Sequence, residues 1–273
     1  MKILQYCLGT GVALAVCEGD DGIAPLEFDG DMLDFITAPP SNIIKRGSMR
    51  LDAVRLAPPV SRPSKIMALG LNYADHIRES KGQTPKSPLV FAKYSTSLIG
   101  QNDLIEWDRA LTSKVDFEAE LAVIVGKKVS NCSEDEAVSA IFGYTCANDV
   151  SARDLQFGDG QWTRGKSLDT FCPLGPWIVT ADEIEDPQAL GIKCILNGKV
   201  MQNSSTREMI FKVPYLISFL SRNFTLLPGD IILTGTPHGV GAFRNPPVYM
   251  ADGDEVVVEI EKIGSLKNRC RVI

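Results

Sequence analysis

Three carboxylates in this chain are placed to do chemistry: Glu118 and Glu120 in Asp-Phe-Glu-Ala-Glu-Leu-Ala-Val-Ile-Val-Gly, and Asp149 in Cys-Ala-Asn-Asp-Val-Ser. The first segment reads as a strand over 117–126, because Val, Ile and Leu run unbroken to Gly126. Side chains two apart on a strand share a face, so Glu118 and Glu120 aim at one point. Burying carboxylates in so apolar a strand is costly without a compensating cation. Three converging carboxylates, with no imidazole or thiolate among them, suit a hard, oxygen-bound ion, Mg²⁺ or Mn²⁺. A Glu-x-Glu standing alone would read instead as the solvent-facing edge of a half-exposed strand.

A second pair strengthens the catalytic reading. His76 and Glu79 lie three residues apart in Gly-Leu-Asn-Tyr-Ala-Asp-His-Ile-Arg-Glu (70–79), after the apolar run Ile66-Met67-Ala68-Leu69. On a helix they share a face. A carboxylate beside an imidazole orients it and raises its basicity, as a general base for water requires. The chain has only two histidines, His76 and His238. An exposed helical ion pair is the competing reading of the pair by itself.

The elements that must position these groups are mostly strands. Expected strands are 65–71, 89–93, 98–105, 117–126, 176–180, 191–196, 230–234 and 255–261, with helices near 73–80, 134–141, 150–156 and 211–222. Asn197-Gly198 between two apolar runs is a two-residue hairpin signal. Residues 1–62 read as a small β-rich amino-terminal domain that opens with a strand pair turning at Gly9 to Gly11. The proline-rich stretch Leu56 to Pro63 reads as a stiff linker to the larger domain, 63–273. Sparse helices do not fit regular βαβ alternation. The expected fold class is therefore α+β and β-rich, a mixed curled sheet rather than a doubly wound one.

Composition narrows the function. A chain of 273 residues, 44% hydrophobic and 23% charged, is ordinary for a globular enzyme. A net charge of −6 without a basic stripe argues against nucleic acid. Residues 3–17 are uncharged but short of the ~20 that a spanning helix needs, so no membrane partner is expected. Seven cysteines with no Cys-x-x-Cys read as reduced, mostly buried thiols of a cytoplasmic protein. Gly-Gln-Trp-Thr-Arg-Gly-Lys-Ser (160–167) matches the phosphate-loop pattern letter for letter, yet neither a buried strand before it nor a helix after it is expected. Nucleotide binding is not expected, although Lys166 remains a candidate cation beside an anionic substrate.

Together these segments closely resemble the fumarylacetoacetate hydrolase superfamily, in its shorter, acylpyruvate hydrolase-like branch, from about Ser64 to Cys270. The resemblance rests on Gly-Leu-Asn-Tyr-Ala-Asp-His (70–76), Phe-Glu-Ala-Glu-Leu-Ala (117–122), Asn-Asp-Val-Ser-Ala-Arg-Asp-Leu-Gln (148–156), Gly-Lys-Ser-Leu-Asp-Thr-Phe-Cys-Pro-Leu-Gly-Pro (165–176) and Pro-Gly-Asp-Ile-Ile-Leu-Thr-Gly-Thr-Pro (228–237). It implies the family's curled β-roll core and a homodimer. It implies that Glu118, Glu120 and Asp149 hold the metal, and that His76 and Glu79 activate water on a short helix that closes over the site. It implies that Lys166 reaches the substrate, that Arg153 and Gln156 line the pocket, and that the Thr236 hydroxyl lies near a substrate carboxylate. Some relatives carry Arg where this chain has Leu71. His238 takes a surface or pocket-rim role by default, and 76–87, poor in apolar anchors, are expected to be mobile without ligand.

The chemistry follows from a 2-oxo carboxylate that chelates one metal ion. With a second carbonyl two carbons away, water attack there expels pyruvate as its enolate, which the metal stabilises. The leading expectation is thus a hydrolase of a C–C bond in an acylpyruvate or other 2,4-dioxo acid, sugar-derived ones included. An oxaloacetate decarboxylase or a 2-hydroxymuconate-type isomerase is the alternative on the same site, because fold does not choose among them. A non-catalytic oxo-acid-binding protein is the reading from another class.

Overall fold

A computed structural model describes residues 1–19 and 21–273. Ten strands run edge to edge through the larger sheet in the spatial order Met49–Arg50, Gly22–Pro25, Gly11–Glu18, Lys2–Leu8, Cys172–Thr180, Ile141–Asn148, Ala119–Val125, Ile231–Leu233, Ile66–Gly70 and Leu89–Lys93. A short strand, Leu98–Ile99, joins it beside Cys172–Thr180. A second sheet has the order Lys199–Ser205, Gly191–Leu196, Glu255–Ile260, Gly264–Val272 and Leu104–Trp107. Both sheets mix parallel and antiparallel neighbours, in accord with the expected β-rich class.

Helices among the described residues are α1 (Met32–Thr37), α2 (Ala74–Ser80), α3 (Glu134–Ser139), α4 (Arg153–Asp159), α5 (Thr163–Lys166) and α6 (Val213–Asn223). In α6, Val213, Leu216, Ile217 and Leu220 recur at helical spacing and are buried. Leu121, Val123 and Val125 enter the same core as those residues and as Ile192, Val256 and Val258 of the second sheet. The alternate residues Ala122 and Ile124 pack with Met32, Phe35 and Ile36 of α1. Covering both faces is what makes 121–125 an unbroken apolar run.

The amino-terminal strands are hydrogen-bonded into the larger sheet, with Lys2 opposite Val179 and Ile3 opposite Ile178. The opening hairpin turns at Gly9, whose φ is +59°. Far from standing free as a spacer, the stretch 56–63 lies on the first strand: Ala57 N–H donates to the Gln5 carbonyl, and Pro59, Val60 and Pro63 are buried. The Asn197–Gly198 hairpin forms as expected, with both residues at positive φ.

Three local expectations differ from the structure. Strand 98–105 is split into Leu98–Ile99 and Leu104–Trp107 by a turn with Asn102 at φ +64° and the Asp103 carboxylate capping Gly100 N–H. Strand 117–126 begins only at Ala119, so Glu118 stands just before it. Strands Ile141–Asn148 and Gly264–Val272 were not expected. The former breaks alternation at Gly143, where any Cβ would run into the Val179 carbonyl oxygen across the ladder.

Candidate metal centre and active site

Register brings the three carboxylates together. Ala119 pairs with Asn148 across antiparallel strands, so one step beyond the ladder Glu118 faces Asp149. The Asp149 N–H donates to the Glu118 carbonyl at 2.9 Å. Glu120 lies one strand repeat further in, on the same face as Glu118. Carboxylate oxygens of Glu118, Glu120 and Asp149 lie within 4.8 Å of one another, and all three side chains are buried.

Three cations answer them unevenly. Lys166 Nζ sits 2.8 Å from both Glu118 Oε2 and Asp149 Oδ2. Lys93 Nζ is 2.6 Å from Asp149 Oδ1 and also donates to the Lys166 carbonyl. Arg153 pairs its Nη2 with Glu118 Oε1 at 2.7 Å and donates from Nε to Asp116 Oδ2 at 2.9 Å. Its Nη1 donates to Gln156 Oε1 at 2.9 Å, which fixes that amide in the pocket wall.

Glu120 is the exception. Its one hydrogen bond is from Gly235 N–H at 2.7 Å, and among the described residues no cation pairs with it. Burial, then the charges of Asp149 and Glu118, push the Glu120 carboxyl well above its usual range. Burial pushes Glu118 the same way, but Lys166 and Arg153 outweigh it and hold Glu118 at about 2. Burial lowers Lys166, whereas Asp149 and Glu118 outweigh it and keep the ammonium protonated above its usual value. Four buried carboxylates, counting Asp116, thus face three cations. A buried, unpaired carboxylate is expensive. An all-oxygen donor set with one uncompensated charge fits a hard divalent cation, so Glu118, Glu120 and Asp149 are suited to hold Mg²⁺ or Mn²⁺.

A cavity of about 70 Å³ opens beside Glu118 and Lys166 and is walled by His76, Phe91, Arg153, Gln156 and Trp162. A far larger one, about 670 Å³, lies between the amino-terminal strands and Trp177, lined by none of the buried carboxylates or lysines. Chemistry rather than size picks out the small one. Trp162 closes it edge-on to Phe91 at 5.4 Å and lies on Gly70, where any Cβ would overlap the indole.

Helix α2 presents the expected pair. His76 Nδ1 is 3.3 Å from Glu79 Oε2, and Gly239 N–H lies 3.0 Å from each oxygen of Glu79. Burial raises the Glu79 carboxyl, but the His76 and Gly239 hydrogen bonds outweigh it and hold it below its usual range. The helix ends at Lys81, in the left-handed region at φ +52°. Residues 81–86 are largely exposed and carry neither helix nor strand.

Thr236 also borders the cavity, but its hydroxyl donates to the Ala119 carbonyl at 2.9 Å and accepts from Gln202 at 2.8 Å. A hydroxyl has one proton, so this one reaches a substrate carboxylate only by releasing Ala119. The phosphate-loop lookalike is no such loop. It follows helix α4, and its lysine is turned inward onto Glu118 and Asp149.

Sequence reasoning passed over Lys93, Asp116 and Asp75. Lys93 ends the strand Leu89–Lys93, and a lysine closing an apolar strand was the available signal. Asp116 continues the period-2 acidic series of Glu118 and Glu120. Asp75 is buried and bound to His238, a pairing across 163 residues with no local signature.

Comparison with known proteins agrees with this geometry. The family model for the fumarylacetoacetate (FAA) hydrolase C-terminal region matches residues 65–271. The mitochondrial oxaloacetate tautomerase of Rattus norvegicus is 49% identical over 212 residues, 77% of this chain and 67% of that protein. Fumarylacetoacetate hydrolase from psychrophilic Exiguobacterium antarcticum superposes with a TM-score of 0.91 at 37% identity over 100% of both chains. The 5-carboxymethyl-2-hydroxymuconate delta-isomerase of Mycobacterium smegmatis does so at 0.85 and 38% identity, again over 100% of both. The chain belongs to the fumarylacetoacetate hydrolase superfamily.

Proposed function

We propose that this protein is a divalent-cation-dependent keto–enol isomerase of a short 2-oxo dicarboxylic acid of the oxaloacetate kind. The observation that carries this is the size and lining of the cavity. About 70 Å³ between helix α2 and Glu118, walled by Phe91 and Trp162 and bordered by Arg153 and Lys166, suits a small anionic acid. The resemblance to an oxaloacetate tautomerase and to a hydroxymuconate isomerase supports the same class.

A cation held by Glu118, Glu120 and Asp149 would supply Lewis-acid polarisation of the 2-keto oxygen. The rest falls to the protein. The free nitrogen of His76, with Nδ1 oriented by Glu79, takes a proton from C3, and the C–H pair becomes the C2=C3 double bond. The carbonyl π pair moves onto the C2 oxygen, which accepts the proton back from His76. Buried Lys166 and Arg153 favour the negative charge that develops on the way. Every step runs equally in reverse.

The second reading is hydrolysis of a C–C bond in an acylpyruvate or other 2,4-dioxo acid, and the His76–Glu79 pair favours it, because the same imidazole can deprotonate water. Decarboxylation of oxaloacetate uses the same electron sink. One experiment separates them. Protein with Mn²⁺ is given enol and keto oxaloacetate, a short acylpyruvate series and a sugar-derived 2,4-dioxo acid, with ultraviolet decay of the enol and pyruvate release followed together. Enol decay without pyruvate, faster than turnover of any dioxo acid, is the expected result. Faster pyruvate release from a dioxo acid overturns it in favour of the hydrolase. The seven unpaired thiols further support our proposal of a reducing, cytoplasmic setting.

A further inference from the structure

We infer that His238 is a positioning residue that, through Asp75, sets the orientation of the helix carrying His76; the inference rests on the reading of His76 as the base. The Asp75 carboxylate is a hub. Oδ1 accepts the His76 N–H at 2.7 Å and lies 3.4 Å from the His238 N–H. Oδ2 takes His238 Nδ1 at 2.8 Å and Ser204 Oγ at 2.5 Å. Asp75 is 9% exposed and His238 46%, so the outer member of the pair faces solvent while the inner one is buried in the first turn of the helix that carries His76.

The same loop grips that helix at both ends. His238 holds Asp75 in the first turn of α2, and Gly239 N–H holds Glu79 in the last. The loop is itself seated: Gly239, at φ +97°, lies so close to Lys199–Ser205 that any Cβ would run into the Met201 carbonyl oxygen. Arg244 Nε donates to the Gly239 carbonyl at 3.0 Å. That strand also supplies Ser204. Strand, loop and helix thus form one hydrogen-bonded frame around His76.

A seven-residue helix has no stability of its own. The buried members of α2 are Asp75, His76 and Ile77, so apolar burial anchors it at a single side chain. Its position must come from polar contacts, and Asp75 accepts the most of them. His238 does not border the cavity and touches no reacting atom. Its effect passes through Asp75 to the backbone of the next residue, which is the base.

The test compares His238→Ala with His238→Asn, whose amide N–H can replace Nδ1–H toward Asp75. With Mn²⁺ and oxaloacetate, Ala should lower kcat on the order of 10-fold, as loss of positioning does, with KM and Mn²⁺ affinity within twofold of wild type. Asn should restore most of the loss. Hydrogen exchange of amides 75–80, which needs no substrate, should quicken several-fold in Ala and return in Asn. Ser204→Ala, which removes another donor from the same carboxylate, should quicken the same amides to a smaller degree. Unchanged exchange and kcat in Ala, or an Asn variant as impaired as Ala, overturns the inference. Should oxaloacetate prove not to be a substrate, the isomerase reading fails alone, and the exchange measurements still decide the clamp.

Discussion

Replacing Glu120 with Gln separates the metal reading from a purely structural one. Glu120 is the buried carboxylate that lacks a cation, and burial with two carboxylate neighbours raises its affinity for a proton. A group whose folded pKa is raised binds more protons in the native state than in the unfolded chain. Stability in the absence of metal should then be highest at or below the unfolded value near 4.5 and fall as pH rises toward the raised folded value. The slope across that window is about 1.4 kcal/mol per pH unit, because one proton separates the two states. For a domain of this size that is roughly 2–4 °C of Tm per unit. Glu120→Gln keeps the shape and the acceptor for Gly235 N–H but removes the proton. The variant should lose this slope and melt higher than wild type above pH 7 when metal is absent. Wild type should recover with Mn²⁺, by about 2.7 kcal/mol at one hundred times Kd. The variant should not. Mn²⁺ binding to wild type should release close to one proton, seen as a heat that scales with buffer ionisation enthalpy in titration calorimetry. Parallel pH–Tm curves for the two proteins, or Mn²⁺ affinity preserved in the variant, would refute the reasoning.

The other expectations are more local. His76→Ala should lose roughly 10²–10⁴ in kcat, the range for positioned acid–base catalysis, with Mn²⁺ affinity intact in calorimetry. Lys93→Met leaves Asp149 with one cation instead of two, and breaking a buried pair in this way should cost about 3–5 kcal/mol in urea unfolding without metal. Gly70→Ala should push the indole of Trp162 off its seat, raise KM with a smaller change in kcat, and shift the tryptophan emission to the red.

Where sequence reasoning worked, a local rule was sufficient. Asn197-Gly198 specifies its own turn, because both residues tolerate positive φ. The convergence of the carboxylates was legible because a charge on an apolar strand needs an explanation, and period-2 spacing puts Glu118 and Glu120 on one face. His76 and Glu79 were legible for the analogous helical reason. Five ordered motifs then carried the family, and with it the expectation of Lys166, Arg153, Gln156 and Thr236 around one cavity. The strand Ile141–Asn148 was missed because Gly143 serves a close approach to Val179, a demand set by its neighbour and not by its own pattern.

The amino-acid sequence by itself determined which groups are able to do chemistry here: an oxygen-only triad suited to a metal, an imidazole with its carboxylate, and a lysine in a polar loop. Only the tertiary structure decided how their charges balance. Lys93 meets Asp149 across 56 residues, Lys166 meets Glu118 across 48, and His238 meets Asp75 across 163. Propensity and periodicity act over a few residues, whereas a buried charge is priced by whatever lies within a few ångströms of it after folding. Glu118 and Glu120 are chemically alike and two residues apart. The fold gives one of them two cations and leaves the other none, and that inequality makes the site fit for a metal.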